Sequence, residues 1–177
     1  MTNQKERMLA GEPYLPDDPE LDEDRRRAAA AHSRFNTAAD HRPLYELMKV
    51  GEDVEIRAPF RVEYGYQTTI GPRTFIGHNA TFLDIARITI GADVQIGPNV
   101  GLYTATHPVD PELRRARWEG GEPITIGDNV WFGGGVVVCP GVTIGENTVV
   151  GAGAVVPRDL PPNVVAVGNP ARVVRQV

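Results

Sequence analysis

Apolar residues recur at every sixth position over much of the chain. They occupy positions 70, 76 and 82, then 90, 96 and 102 after a slip of two residues, and then every sixth position from 126 to 156. Glycine follows the apolar residue at 71, 77, 91, 97, 127, 133, 145 and 151. Six residues are too few for a helix pair or a hairpin but suffice for a short strand and a tight corner. The pattern therefore predicts a solenoid of hexapeptide repeats.

The coil that such repeats form is expected to have three sides. Three units would close one triangular turn, with the apolar residue pointing inwards. Strands of successive coils would pair in parallel at about 4.8 Å, and their inward residues would stack into one core. Gly or Asn at the corners is expected to supply the positive φ of a sharp turn. The predicted fold class is mainly β, a parallel β-helix, and the weaker alternative is a row of β-turns in a sandwich.

The first fifty residues lack the repeat and are expected to form a small helical cap. We predict a short helix ending at Gly11, a second from Asp18 or Glu20 through about Asn36, and a third over about Pro43–Met48. Acidic residues cluster in the first turn of the second helix, where they complement the helix dipole. The predicted organisation is a cap over 1–50 and a β-helix with a C-terminal tail over 51–177.

A second interruption, at about 103–123, separates two runs of repeats. A loop of this length inside a regular solenoid is usually functional. It contains His107, the histidine nearest to the later coils. Because an ordinary imidazole is mostly neutral at pH 7, it can accept a proton from an attacking group. We therefore expect His107 to be a general base, in preference to a surface or capping role.

Composition and charge exclude several classes of protein. The chain has 177 residues, one Cys and a formal net charge of −5. It is long enough for one main domain without a disulfide, and its mild acidity argues against non-specific nucleic-acid binding. No run of 18 apolar residues or apolar N-terminal segment occurs, so neither a membrane partner nor a secretory signal is expected. The expected location is cytoplasmic.

Several segments together resemble the maltose/galactoside O-acetyltransferase family of left-handed β-helix enzymes. They are RMLAGEPY, DPELDEDRRRA and FN in the cap, YGYQTTIG and ITIGADVQIGPNV in the early coils, YTATHPVDPE in the loop, PITIGDNVWFGGGVVVCPGVTIGENTVVGAGAVV, and the terminal VVAVGNPARVVRQV. The resemblance implies a left-handed coil and a homotrimer with sites at the subunit interfaces. It also implies transfer of acetyl from acetyl-CoA to a sugar hydroxyl, without a required metal.

The resemblance assigns several positions to acetyl-CoA. Gly134 stands at the thioester end, and its glycine run suits a main-chain N–H that stabilises an oxyanion. Ala152, Pro157 and Arg158 occupy further contact positions, although the family commonly has Thr-Lys in place of Pro-Arg. Trp131 either packs in the coil or walls the pantetheine channel. The remaining pair, Arg172 and Arg175, either meets the CoA phosphates or belongs to a solvated tail.

The acceptor side is assigned by the same resemblance. Asp84 matches a carboxylate common in the family and is expected to bond sugar hydroxyls. Asp17 or Asp18 is expected to reach the acceptor from the cap, and Glu119 from the long loop. The family often has Asn where this chain has Gly77, and Asn79 is the candidate substitute.

Other functions compete with acetyl transfer to a sugar. A CoA-dependent acyltransferase with a non-sugar or oligosaccharide acceptor and a non-catalytic trimeric scaffold both stay open. A zinc carbonic anhydrase would need three His ligands, whereas the β region contains only His78 and His107. Cys139 has no activating neighbour in the sequence and is expected to be a bystander.

Overall fold

The N-terminal residues form three helices in the computed structural model, which describes residues 3–38 and 40–177. These are α1 (Gln4–Leu9), α2 (Pro19–Ala38) and α3 (Arg42–Leu47). The Asp18 carboxylate caps α2 by accepting the N–H groups of Glu20 and Leu21 at 2.9 and 3.2 Å. The three predicted helices are confirmed, apart from Met1 and Thr2, which lie outside the described residues.

Five complete coils follow the cap, and each contains three short strands. The strands and the one further helix are, in chain order, β1 (Lys49–Val50), β2 (Glu55–Ile56), β3 (Phe60–Val62), β4 (Thr68–Ile70), β5 (Phe75–Ile76), β6 (Ala80–Leu83), β7 (Ile88–Ile90), β8 (Gln95–Ile96), β9 (Gly101–Tyr103), β10 (Ala105–Thr106), α4 (Pro111–Arg115), β11 (Gly120–Gly121), β12 (Ile124–Ile126), β13 (Trp131–Phe132), β14 (Val137–Val138), β15 (Thr143–Ile144), β16 (Val149–Val150), β17 (Val155–Val156), β18 (Val164–Val167) and β19 (Arg172–Gln176). A partial sixth coil ends in β18.

Corresponding strands of successive coils form the three faces of a prism. Face A contains β1, β4, β7, β12 and β15, and face C contains β3, β6, β9, β14 and β17. Face B contains β2, β5, β8, β13, β16 and β18, and β19 closes it by running antiparallel to β18. The turns that join face B to face C are called the B–C corner below, and those that lead from face C to face A the C–A corner.

The core consists of three stacks of apolar residues in register. One stack per face contains the sixth-position residues of four coils, and none of these side chains is more than 1% exposed. The stacks are Ile70, Ile90, Ile126 and Ile144 on face A, Ile76, Ile96, Phe132 and Val150 on face B, and Phe82, Leu102, Val138 and Val156 on face C. The predicted periodic core and the parallel β-helix are therefore confirmed.

The glycines of the repeat are required by the close approach of coils. A Cβ at Gly71 would lie 2.4 Å from the backbone of Gly91, and one at Gly127 would lie 2.6 Å from that of Glu146. None of the eight repeat glycines has a positive φ, but the corner glycines Gly135 and Gly153 do, so the expectation of Gly or Asn with positive φ in the corners is confirmed. Positive φ occurs two residues later, where Asn is frequent, at Asn79, Asn99, Asn129 and Asn147.

Asp84 is a buried structural residue of the C–A corner. Its carboxylate accepts the N–H groups of Tyr64 and Gly65 at 2.8 Å and the hydroxyl of Thr68 at 3.0 Å. The side chain is 0% exposed and joins the first coil to the second. The expected contact of Asp84 with sugar hydroxyls is therefore corrected, because no oxygen of this carboxylate reaches the surface.

Burial outweighs the hydrogen bonds and raises the pKa of Asp84 to about 6. A carboxyl with a raised folded-state pKa contributes stability that is complete below pH 3.8, its ordinary value, and is lost as the pH rises through 6. Between pH 3.8 and pH 6 the wild type should therefore lose about 3 kcal/mol of unfolding free energy relative to Asp84→Asn. Urea unfolding at one fixed protein concentration measures this difference.

The matched control is Asp93→Asn at an exposed corner. The hydrogen bond from Arg73 lowers the pKa of Asp93, so its pH dependence should have the opposite sign. Parallel stability curves for wild type and Asp84→Asn would contradict the burial argument.

Candidate active site at the loop between cap and coil

The long insertion leaves the C–A corner of the third coil as a hairpin. Strands β10 and β11 pair antiparallel, so residues 107–119 project from the prism. The Asp110 carboxylate begins α4 by accepting the N–H groups of Glu112 and Leu113 at 2.8 and 2.9 Å. The sequence analysis treated this segment as a loop. The Asp-Pro-Glu start at 110–112 was the available helix signal, because it places an N-cap residue before Pro at the first helical position.

Tyr14 of the cap holds the end of the insertion. Its N–H donates to the Glu119 carbonyl at 2.9 Å, and the Glu119 N–H donates to the Tyr14 carbonyl at 3.0 Å. The phenol donates to Glu119 Oε2 at 2.6 Å. Burial, and then the hydrogen bond to Glu119, raise the pKa of Tyr14, so the phenol stays a donor. Sequence reasoning missed Tyr14, because nothing local indicates a bond across 105 positions.

Glu119 faces His107. Its second oxygen, Oε1, lies 3.7 Å from His107 Nε2, and the Glu119 side chain is mostly buried whereas that of His107 is 58% exposed. A carboxylate in this place can orient an imidazole and stabilise its protonated form. Glu119 therefore lies next to His107, and its expected contact with the acceptor stays a prediction.

Two cavities flank His107. One of about 370 Å³ is lined by Pro16, Asp17, His107, Arg114 and Arg117. The other, of about 290 Å³, is lined by Pro13, Thr106, His107, Pro108, Glu119, Gly120 and Glu122. The structure thus places Asp17 at one of the two cavities beside His107 and Glu119 at the other. The Asp18 carboxylate is occupied at the N-terminus of α2. Asp17 is therefore the carboxylate of the N-terminal region that lines the cavity.

A second group of predicted residues lies on the B–C corner. Gly134 and Ala152 occupy successive coils, where the Gly153 N–H donates to the Gly134 carbonyl at 2.9 Å. The N–H of Gly135 donates to the Pro98 carbonyl at 2.8 Å, whereas that of Gly134 donates to no backbone carbonyl within the described residues. This corner therefore presents a main-chain donor and no large side chain.

Face B presents an aromatic residue and two cations beside that corner. Trp131 is 56% exposed, which excludes the coil-packing alternative. Arg172 and Arg175 lie on β19, and their guanidinium groups donate to the carbonyls of Ala171 and Gln176. Over residues 3–38 and 40–177 neither arginine forms an ion pair with a carboxylate. Both are therefore available to an anion.

The remaining predicted residues lie on both corners. Gly77 and Asn79 belong to the B–C corner of the second coil, between β5 and β6. Pro157 and Arg158 are exposed on the C–A corner of the fifth coil, two coils beyond the insertion. Asn79 is a corner residue with a φ of 60°, and its N–H donates to Pro59. A Cβ at Gly77 would lie 2.9 Å from the backbone of the next coil, which explains glycine there. Neither cavity beside His107 includes a residue of the B–C corner.

Tyr103 is a further residue that sequence reasoning missed. Its ring folds back over Gly101 on face C, where a Cβ at 101 would lie 2.4 Å from the phenol. The signal was the glycine at an outward strand position where Thr81 and Val137 occupy the adjacent coils. Tyr103 therefore covers face C four residues before His107.

Among the described side chains, no three His, Cys, Asp or Glu residues are grouped as a metal site. No described helix is long and apolar enough to cross a bilayer. Burial raises the pKa of the Cys139 thiol, which makes it a poor nucleophile.

Known sequences and structures match the whole chain. Family profiles match residues 7–50 (maltose acetyltransferase hexapeptide capping motif), 67–104 (hexapeptide repeat of succinyl-transferase) and 123–158 (bacterial transferase hexapeptide, six repeats). Nodulation protein L of Rhizobium meliloti (strain 1021) is 48% identical, over 96% of this chain and 97% of that protein. The chain belongs to the hexapeptide-repeat acetyltransferase family.

The fold of this chain is similar to those of solved sugar acetyltransferases. A maltose O-acetyltransferase from Clostridium difficile 630 is 41% identical with a TM-score of 0.95, over 99% of this chain and 98% of that chain. A galactoside acetyltransferase in complex with coenzyme A is 39% identical with a TM-score of 0.93, over 99% and 92%. The resemblance inferred from sequence motifs is confirmed.

Proposed function

We propose that the protein transfers the acetyl group of acetyl-CoA to a hydroxyl group of a sugar, with His107 as general base. The observation that carries the proposal is the exposed imidazole between two cavities, with Glu119 behind it and Tyr14 holding Glu119. The likeness to maltose and galactoside acetyltransferases supports the sugar acceptor.

The reaction needs one proton to move in each direction. His107 takes the hydroxyl proton as the oxygen attacks the acetyl carbonyl, and Glu119 stabilises the imidazolium that forms. When the C–S bond breaks, the imidazolium returns the proton to the sulfur. The products are an acetyl ester and free CoA, and no covalent enzyme intermediate is required.

The B–C corner and face B fit acetyl-CoA. The free N–H of Gly134 suits the oxyanion that develops on the thioester carbonyl, and Ala152 leaves the next coil open. Trp131 offers an apolar wall for the pantetheine arm. Exposed arginines at 172, 175 and 158 suit the phosphates, because a guanidinium can bond phosphate with two N–H groups.

A second subunit would unite the two groups of residues. In one chain His107 projects from the C–A corner, whereas Gly134 lies on the B–C corner. Packing of triangular prisms around a threefold axis can place one corner of each subunit against another corner of its neighbour. We therefore infer a homotrimer with each active site shared between two chains.

His107→Ala should lower kcat by roughly 10²–10⁴, the usual contribution of a general base. The affinity for acetyl-CoA should hardly change, because the B–C corner stays intact. Thiol release from acetyl-CoA with maltose and galactosides measures turnover, and His41→Ala, in the cap, is the control. Near-normal turnover by His107→Ala would end the base assignment, and a wild type silent on every sugar would contradict the sugar acceptor.

Tyr14→Phe and Glu119→Gln should both lower kcat, because each loosens the orientation of His107. We expect a loss of roughly 10- to 100-fold for Glu119→Gln and a smaller one for Tyr14→Phe. Tyr45→Phe is the matched control, since its phenol donates to the Val54 carbonyl elsewhere in the cap. If Glu119→Gln instead raised the KM for the acceptor and left kcat unchanged, Glu119 would be an acceptor ligand.

The protein should sediment near three times the chain mass of 19.3 kDa. A shared site also predicts complementation between two inactive variants, His107→Ala and Gly134→Val. When mixed during refolding, they should regain roughly one quarter of wild-type activity, because a random trimer pairs an intact His107 with an intact Gly134 at that frequency. A monomer, or a mixture without activity, would contradict the shared site.

A further inference from the structure

The cavity on the cap side of His107 has a positive lining. Arg114 and Arg117 both face it, and Asp17 is the only carboxylate among its lining residues. The two guanidinium groups and the one carboxylate therefore sum to one positive charge.

Arg114 is held in place by the loop that carries the base. One guanidinium nitrogen, Nη1, donates to the carbonyls of Pro108 and Val109 at 2.9 Å each. These carbonyls follow His107 directly in the chain. The bonds use one nitrogen, so within the described residues the other N–H groups of this side chain stay available to a ligand.

Arg117 occupies a backbone conformation that costs energy for a large side chain. Its φ is 64°, in the left-handed region where Gly or Asn is favoured. From there its Nη1 reaches the Asp17 carboxylate at 2.8 Å across the cavity. Both side chains are largely exposed, so this pair is weak and can share or yield the arginine to another anion.

The opposite cavity has the opposite charge. Its lining includes Glu119 and Glu122 and no arginine or lysine. His107 therefore lies on a boundary between an anionic and a cationic compartment. An acceptor with a negative group is excluded from the first by repulsion and attracted to the second.

We propose that Arg114 and Arg117 form an anion subsite beside His107, and that the enzyme selects sugar acceptors carrying a carboxylate or a phosphate. This inference rests on the proposed acetyl transfer and names the class of its acceptor. Arginine binds both groups with parallel N–H bonds, so the two anions share one recognition chemistry. The hydroxyl to be acetylated would then lie on the His107 side of the cavity.

The test compares acceptors that differ in one anionic group. Maltose is paired with maltobionate for the carboxylate, and methyl α-glucoside with glucose 1-phosphate for the phosphate. Each pair keeps the hydroxyls of the glucosyl ring. We expect kcat/KM to be about 3- to 30-fold higher for the anionic member of at least one pair, and this ratio to shrink in about 1 M salt.

Two variants and one control assign that preference to the subsite. Arg114→Met removes a cation, and Arg117→Gly removes the other while relieving the unfavourable φ, so its folding should not suffer. The double variant should lose the preference for the anionic member. Arg115→Met is the control, because Arg115 lies on the same helix but pairs with Glu112 outside the cavity.

The outcomes separate this inference from the proposed reaction. Equal kcat/KM within both pairs, or a preference that survives in the double variant, would overturn the anion subsite and leave sugar acetylation standing. If no member of either pair is acetylated, the proposed reaction fails on these sugars. Calorimetric titration with maltobionate and glucose 1-phosphate then decides the subsite, since binding must be present in the wild type and lost in the double variant.

Discussion

The coils of this protein stack at the distance of one strand pairing, and every other feature depends on that spacing. At about 4.8 Å between backbones there is no room for a side chain at the inner edge of a corner. Gly71 and Gly127 show the limit, because a single Cβ would press into the next coil. The same spacing puts inward side chains of neighbouring coils in van der Waals contact, so the apolar stacks stabilise the prism without any helix inside it.

A solenoid of this kind has few positions left for chemistry. Inward residues are used by the core, corner residues by turn geometry, and outward strand residues by flat faces. What the coil does provide is straight columns of atoms, such as the B–C corner on which Gly134 and Ala152 follow each other. His107 lies in the long insertion, and the cap holds that insertion through Tyr14. The cap therefore contributes to the site as well as covering the end of the coil.

The parts of the structure that repeat were predictable, and the parts that depend on one long-range contact were not. A period of six, with Gly after each apolar residue, determines strand, corner and stack, because each coil repeats the same local constraint. The motif resemblance added His107 and the residues on the B–C corner. Asp84 was misjudged because a carboxylate between apolar residues looks the same in sequence whether it meets solvent or two buried N–H groups. Glu119 is a similar case, since its partner Tyr14 lies more than a hundred residues away.

The separation of coil and insertion also bears on how specificity can change. Gly134 and Ala152, which are proposed to meet acetyl-CoA, lie on a corner whose geometry every coil shares, so a substitution there disturbs the stacking above and below. Arg114 and Arg117 lie on an exposed helix and the turn after it, where the hydrogen bonds at stake are those of Arg114 within the insertion and that of Arg117 with Asp17 of the cap. Charge on this segment can therefore be gained or lost at little cost in stability. If the proposed reaction holds, the acceptor preference is the property that selection can alter most freely, while the thioester chemistry depends on the coil.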